Sequence, residues 1–244
     1  LPQPEETINQ EHSWLAGFTY TDEPDTDTCW QVNGYYRRRN SELLSVNFSH
    51  LQTIPPPPRP IFARTKDEQA YTDYLINPQW TRQYGAQEVT IGADFLRSES
   101  EFKPVINTAT GTPLPTAKAV TSSISDVGIY AQDVICAGDW VVVPGVRIDD
   151  HSTFGTAVSP KLGVSYQVTD TTRVRASAGR AFRAPTLTEL YRPDWDVSPG
   201  ITLRANPNLD AEYLTAYDLG VEHHFTPCVK GGLDFFYNDM TDLI

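Results

Sequence analysis

The sequence predicts an all-β protein, a transmembrane antiparallel up-and-down β-barrel of which this chain is a part. Three observations lead there. Apolar and polar residues alternate with period two over many separate segments, the mark of strands with unlike faces. Those segments are long: ordinary strands run about 5–6 residues, whereas a tilted strand crossing a bilayer needs about 9–11. The gaps between them alternate short and long, as tight turns on one side of a membrane and long loops on the other require.

Taken in order, the expected strands are 14–20, 29–37, 42–50, 70–82, 88–98, 123–135, 139–149, 158–168, 172–183, 213–225 and 229–238. In 88–98, Val89, Ile91, Ala93 and Phe95 alternate with Glu88, Thr90, Gly92 and Asp94. In 158–168, Val158, Pro160, Leu162, Val164, Tyr166 and Val168 alternate with Ser159, Lys161, Gly163, Ser165 and Gln167. In 172–183, Val174, Ala176 and Ala178 alternate with Arg173, Arg175, Ser177 and Gly179. Tyr213, Thr215, Tyr217, Leu219, Val221, His223 and Phe225 form one row of 213–225. In the last strand Val229, Leu233, Phe235 and Tyr237 alternate with Lys230, Asp234 and Asn238, with Phe236 as the exception. Trp140, Tyr166, Tyr213, Tyr217, Phe225, Phe235 and Tyr237 fall on or near strand ends in apolar rows, where a ring with a polar edge suits the headgroup level.

Short gaps are expected at 38–41, 83–87, 136–138, 169–171 and 226–228, and longer ones at 21–28, 51–69, 99–122, 150–157 and 184–212. With the short side periplasmic, strand 14–20 runs outward, 29–37 inward, and so on to 229–238, which runs outward.

Composition narrows the class. The 244 residues are 39% hydrophobic and 20% charged, with 19 prolines, 15 glycines and one methionine. Mean hydropathy is −0.39, and no stretch approaches the roughly 18 consecutive apolar residues of a spanning helix. A net charge of −12 argues against nucleic acid, which needs basic surface. Cys29, Cys136 and Cys228 lie far apart and odd in number, without metal-ligand spacing; they read as incidental or buried thiols. The first residues, LPQPEETINQ, carry no signal-peptide features, and FFYNDMTDLI ends on a strand-like stretch. Both ends are expected to be truncation points.

The run SPKLGVSYQVTDTTRVRASAGRAFRAPTLTELY, followed by NPNLDAEYLTAYDLGVEHHF, resembles the barrel of TonB-dependent outer-membrane receptors. VGIYAQD at Val127–Asp133, PGVRIDDHSTFG at Pro144–Gly155 and LDFFYNDMTDLI keep the family's order. The match is specific over about residues 123–244 and weaker before, where NPQWTRQYGAQEVTIGADFLRSE at Asn77–Glu99 is the best stretch. Its flavour is nearest the cobalamin and catecholate-siderophore branches. The resemblance implies a barrel of about 22 strands, of which 1–244 is about half, and a plug domain that this chain lacks. It further implies outer-membrane lipid around the wall, contact with the TonB complex through the missing plug region, and an iron-siderophore or cobalamin-type ligand. Alone, such a piece leaves two unpaired sheet edges, which hydrocarbon does not tolerate.

Candidate contacts follow. In the loop 184–212, Tyr191, Trp195, Asp196 and Arg204 combine the aromatic and charged types enriched at binding hot spots; otherwise they pack the loop. Arg173 and Arg175 face the lumen by alternation, to pair with plug carboxylates or to guide an anionic substrate. Arg183 and Glu189 order the loop mouth, and Pro185 ends its strand for want of an N–H. Pro55–Pro58 form a stiff polyproline segment, a spacer or a partner motif. Asp22, Glu23, Asp25 and Asp27 form an acidic loop tip, solvated or cation-binding. His12, His50, His151, His223 and His224 show no zinc spacing, and His223 and His224 face opposite ways across one strand. No catalytic motif appears, so neither an enzyme nor a cofactor is expected. The alternatives are a passive, unplugged diffusion channel and a soluble β-rich adhesin or carbohydrate-binding protein.

Overall fold

The computed structural model describes residues 8–52, 59–103, 106–107, 119–198 and 201–244, with side chains described for 9–44, 66–103, 119–194 and 203–244. Pro55–Pro58 lie outside the described residues. The strands are β1 (Ile8–Asp25), β2 (Thr28–Gln52), β3 (Arg59–Tyr84), β4 (Gln87–Phe102), β5 (Ile106–Asn107), β6 (Val120–Ala137), β7 (Trp140–His151), β8 (Gly155–Thr169), β9 (Thr172–Arg183), β10 (Trp195–Ser198), β11 (Ile201–Leu203), β12 (Glu212–Thr226) and β13 (Val229–Thr241), with one helical turn, α1 (Leu187–Tyr191). One antiparallel sheet runs β1-β2-β3-β4-β6-β7-β8-β9-β12-β13, with short β5 on β3 and a separate β10–β11 hairpin. Each long strand pairs with its neighbour in sequence apart from the short elements inserted between. The ladder satisfies the backbone polar groups that hydrocarbon cannot. The sheet is open, with β1 and β13 as its edges.

Ten long strands replace the eleven expected. Residues 38–41 are no gap: β2 runs unbroken through Arg38, Arg39, Asn40 and Ser41, paired to β1 and β3 throughout. The stretch has no glycine or proline to break it. Cross-strand contacts hold it extended, Arg37 to Asp73 at 2.7 Å and the Arg39 guanidinium 4.9 Å from the Tyr71 ring centroid. The expected long gap at 21–28 is a two-residue turn, Thr26–Asp27. Strand β1 therefore runs toward the tight-turn end, opposite to the direction expected for 14–20. The acidic residues around it sit on a tight hairpin, where the Asp27 N–H donates to Asp25 Oδ1 at 2.9 Å. At the other end, β7 and β8 are joined by only three residues, 152–154. There the Phe154 ring stacks on His151 with centroids 4.4 Å apart.

All five tight turns (26–27, 85–86, 138–139, 170–171 and 227–228) lie at one end of the sheet. Gly85 and Gly138 open two of them with φ of 60° and 58°, a conformation that a two-residue hairpin turn demands and a side chain resists.

The two faces differ as the alternation requires. The outer row carries Phe18, Trp30, Ile91, Ile129, Leu162, Leu219 and Phe235, all exposed. Over twenty large apolar side chains exposed on one side of a sheet would be a liability in water and are the expected surface in lipid. Near the tight turns the row is aromatic: Trp30 faces Trp80 at 6.3 Å and Trp140 stacks on Tyr166 at 4.3 Å, a girdle at one membrane boundary.

Strand β3 has 26 residues, about 85 Å of chain at ~3.3 Å per residue, far more than a bilayer core needs. Beyond Tyr36 and Tyr74 the same outer row becomes Arg38, Asn40, Glu42, Thr72, Glu68 and Lys66. Lys66 bridges Glu42 at 2.8 Å and Glu68 at 2.6 Å, and Lys103 bridges Glu68 at 2.7 Å. With both faces polar, this upper part stands clear of lipid. The Glu68 carboxylate beside Lys103 holds its ammonium above the ordinary lysine range.

Candidate functional site: the inner wall and its mouth

The inner row gathers polar side chains that are far apart in sequence. Arg147 on β7 donates through Nε to Asp149 at 2.8 and 3.0 Å, and its other end pairs with Asp94 on β4. Asn77 on β3 donates to Asp94 Oδ1 at 2.5 Å and to the Ala93 carbonyl at 3.0 Å. The Tyr130 hydroxyl on β6 donates to Gln79 Oε1 at 3.1 Å. Asp149 has no exposed surface. Its charge is tolerated because Arg147 grips both oxygens.

Glycine makes this reach possible. The Tyr130 ring lies over Gly92 and the Arg147 guanidinium over Gly128, where any Cβ would collide with them. The missing side chains let Tyr130 cross β4 to β3 and let Arg147 cross β6 to β4. Asn33, Gln132, Ser159 and Lys161 complete a concavity of about 820 Å³ in the wall.

After β9, residues 184–192 fold back over the wall's far end. Thr186 caps α1: its hydroxyl accepts from the Glu189 N–H at 3.2 Å, and the Glu189 carboxylate accepts from the Thr186 N–H at 2.7 Å, satisfying two otherwise orphaned donors. Arg183 binds Glu189 at 3.0 Å and Glu212 at 2.7 Å, tying the start of the β9–β12 connection to its end. Leu187 and Leu190 are buried, with α1 against β4 and β6. Thr188 shares a 2.9 Å hydrogen bond with Tyr71, and Arg192 bridges Asp67 at 2.9 Å. Residues 184–192 are thus strapped across the wall to β3.

Of the sequence-predicted residues, Tyr191 closes α1 and is half-buried. Trp195 and Asp196 lie in β10, their backbones opposite Leu203 and Thr202, and their side chains lie outside those described. Arg204 is exposed and reaches Asp194 at 3.4 Å. One hairpin therefore gathers Trp195, Asp196 and Arg204. Arg173 and Arg175 share the polar face with Arg147 but lie near the tight turns, about 30 Å of strand from the loop at ~3.3 Å per residue. Arg173 donates to Gln167 at 3.0 Å. Arg175 reaches over Gly220 to Asp234 at 2.7 Å. His223 bonds Thr172 at 2.8 Å on one face, and His224 sits 3.3 Å from Glu222 on the other.

Sequence reasoning missed Asn77, Asp94, Tyr130, Arg147 and Asp149, and the strap anchors Asp67 and Tyr71. Charged residues at alternate positions were a signal that some side chains would meet inside. Which ones meet depends on a register that spans 53 residues between Asp94 and Arg147.

The family model "TonB dependent receptor-like, beta-barrel" matches residues 2–244. The chain is 32% identical over 177 residues to the ferric enterobactin receptor PirA of Pseudomonas aeruginosa, covering 65% of this chain and 24% of that protein. It is 31% identical over 96 residues to the vitamin B12 transporter BtuB of Photobacterium profundum, covering 39% and 14%. Among solved structures, the ferric enterobactin receptor PfeA of Pseudomonas aeruginosa (mutant G324V) superposes with a TM-score of 0.71 at 21% identity, over 95% of this chain and 35% of that one. The ferric citrate transporter FecA superposes at 0.70 and 16%, over 98% and 36%. The chain thus spans about a quarter or less of those relatives and about a third of those structures, as a partial barrel. It belongs to the TonB-dependent receptor-like β-barrel family.

Proposed function

We propose that this chain forms part of the wall of a TonB-coupled outer-membrane receptor that takes up a scarce chelate, an iron siderophore or a cobalamin. The observation that carries the reading is the pairing of an apolar outer band with a hydrogen-bonded polar inner wall in a member of this family. Relatives named for ferric enterobactin and vitamin B12 support the ligand class. The tight turns face the periplasm and the strapped residues 184–192 face outside. The inner wall receives a plug domain, with Arg173 and Arg175 toward it, and the plug couples to TonB. Tyr191, Trp195, Asp196 and Arg204 present an aromatic and charged surface to the arriving chelate.

The test uses the full-length receptor in a receptor-deficient strain. Uptake of a ferric catecholate or of cobalamin is expected with the intact protein. Trp195→Glu with Arg204→Glu should weaken ligand binding at normal expression, and unchanged affinity would remove those residues from the site. The 244-residue chain alone should support no uptake, because its two sheet edges stay unpaired. Passive leakage of small solutes independent of TonB would favour a diffusion channel instead.

A further inference from the structure

On the outer face, one rung below the Trp30–Trp80 pair, the ladder aligns Thr28, Arg82, Val89 and Asp133 across β2, β3, β4 and β6. Alternation points all four side chains to the side that carries Trp30, Trp80, Ile91 and Ala131. This is the row that should be apolar, yet it holds a guanidinium and a carboxylate. Buried Arg82 Nε and Asp133 Oδ1 have no hydrogen-bond partner. Neither residue forms an ion pair among the described residues. They flank Val89, whose short apolar side chain leaves a floor between them, with two ladder spacings, about 10 Å, from Arg82 to Asp133 at Cα. The Arg82 guanidinium rests 5.3 Å from the Tyr84 ring centroid, which keeps it at the wall. Asp25, toward the turn, accepts from the Asp27 N–H and lies within electrostatic reach of Arg82 without forming an ion pair with it.

We infer that Arg82 and Asp133 form a headgroup site for a zwitterionic phospholipid of the adjoining leaflet, Arg82 taking the phosphate and Asp133 the primary ammonium. A charged group on the lipid face costs least at the interface, ~0–1 kcal/mol against ~2–4 at midplane, and the tryptophan pair marks that level. Even there, a half-buried guanidinium and a half-buried carboxylate without ion-pair partners call for a ligand that supplies both opposites. A phosphoethanolamine headgroup does so: phosphate oxygens accept from the guanidinium fork, and the ammonium N–H groups donate to the carboxylate. A choline headgroup has no N–H to give, and a glycerol headgroup has no cation.

The site rests on the barrel's outer face meeting lipid and not on transport, so headgroup binding and chelate uptake fail independently. The experiment is native mass spectrometry of the full-length receptor in detergent, titrated with dioctanoyl phosphatidylethanolamine, phosphatidylcholine or phosphatidylglycerol, or with inorganic phosphate. Phosphatidylethanolamine should bind about tenfold tighter than the other two lipids, the worth of one charge-assisted hydrogen bond. Asp133→Asn should erase that preference. Arg82→Gln should weaken all three lipids by about tenfold, and Arg82→Lys should restore most of the loss. Equal binding of the three lipids by the wild type would overturn the site, whatever the variants do. So would an unchanged preference in Asp133→Asn, or displacement of the lipid by inorganic phosphate alone.

Discussion

The two faces of this sheet are built from the same strands and the same ladder, yet they are specified in different ways. The outer face needs only to be apolar over a band and aromatic at its margin. Leu162 opposite Ala178 or Leu219 opposite Phe235 would serve as well exchanged for other hydrophobes. The inner face is specified pair by pair. Arg147 fits because Gly128 leaves room, Asp94 and Asp149 supply charge, and Asn77 holds Asp94 in place. One face is a solvent match and the other is a set of particular contacts.

The comparison yields a graded set of predictions for the full-length receptor. The largest effect is expected from Arg147→Met, which strands buried Asp149 and leaves Asp94 without its cation. It should cost ~3–5 kcal/mol in reversible unfolding in lipid vesicles. A loss below ~1 kcal/mol would mean the inner wall is not pair-specified. Next comes Leu162→Arg on the outer band, at ~2–4 kcal/mol near the midplane, with Leu162→Ile nearly neutral as its control. On the same row above the band, Asn40→Arg should stay within about 0.5 kcal/mol. If it were as costly as Leu162→Arg, the boundary placed at Tyr36 and Tyr74 would be wrong. Gly92→Val should cost ~1–3 kcal/mol by pushing Tyr130 off Gln79, whereas Gly163→Ala, where a Cβ meets nothing closer than 3.8 Å, should be mild. A smaller loss belongs to Tyr71→Phe, which removes the hydroxyl's hydrogen bonds to Thr188 and Gln69, ~0.5–1.5 kcal/mol for each. It should appear as faster hydrogen exchange in α1 with the strand ladder, which is held by backbone hydrogen bonds, unchanged. Spin labels at Leu162, Val164 and Leu219 should meet a lipid-soluble quencher and not an aqueous one.

Much of the fold was legible because period two is a local property. Val158 to Val168 reveals its two rows without reference to any neighbour, and the SPKLG to TELY stretch carries a family pattern along the chain. The error at 38–41 has an equally local origin. Two arginines, an asparagine and a serine read as a turn, but each is matched by partners on β1 and β3 that the linear sequence does not identify. Likewise the acidic run near Asp25 read as a loop, because carboxylates suit solvent in a tight hairpin as well as in a long one. Among the candidate contacts, alternation groups Arg173 and Arg175 in one row but could not see that Asp234 already engages Arg175.

The sequence by itself determined the strand rows, the side that meets lipid and the positions of most tight turns, because a two-residue repeat and a turn glycine act over a few bonds. The tertiary structure alone decided which inner side chains meet, where β2 and β3 rise out of the membrane band, and that Thr188 and Arg192 strap the start of the β9–β12 connection onto Tyr71 and Asp67. The contacts Arg147–Asp94, Thr188–Tyr71 and Arg192–Asp67 join residues 53, 117 and 125 apart. Their geometry exists only once the strands share one register, because a shift of one residue in β7 or β4 would turn Arg147 or Asp94 to the opposite face.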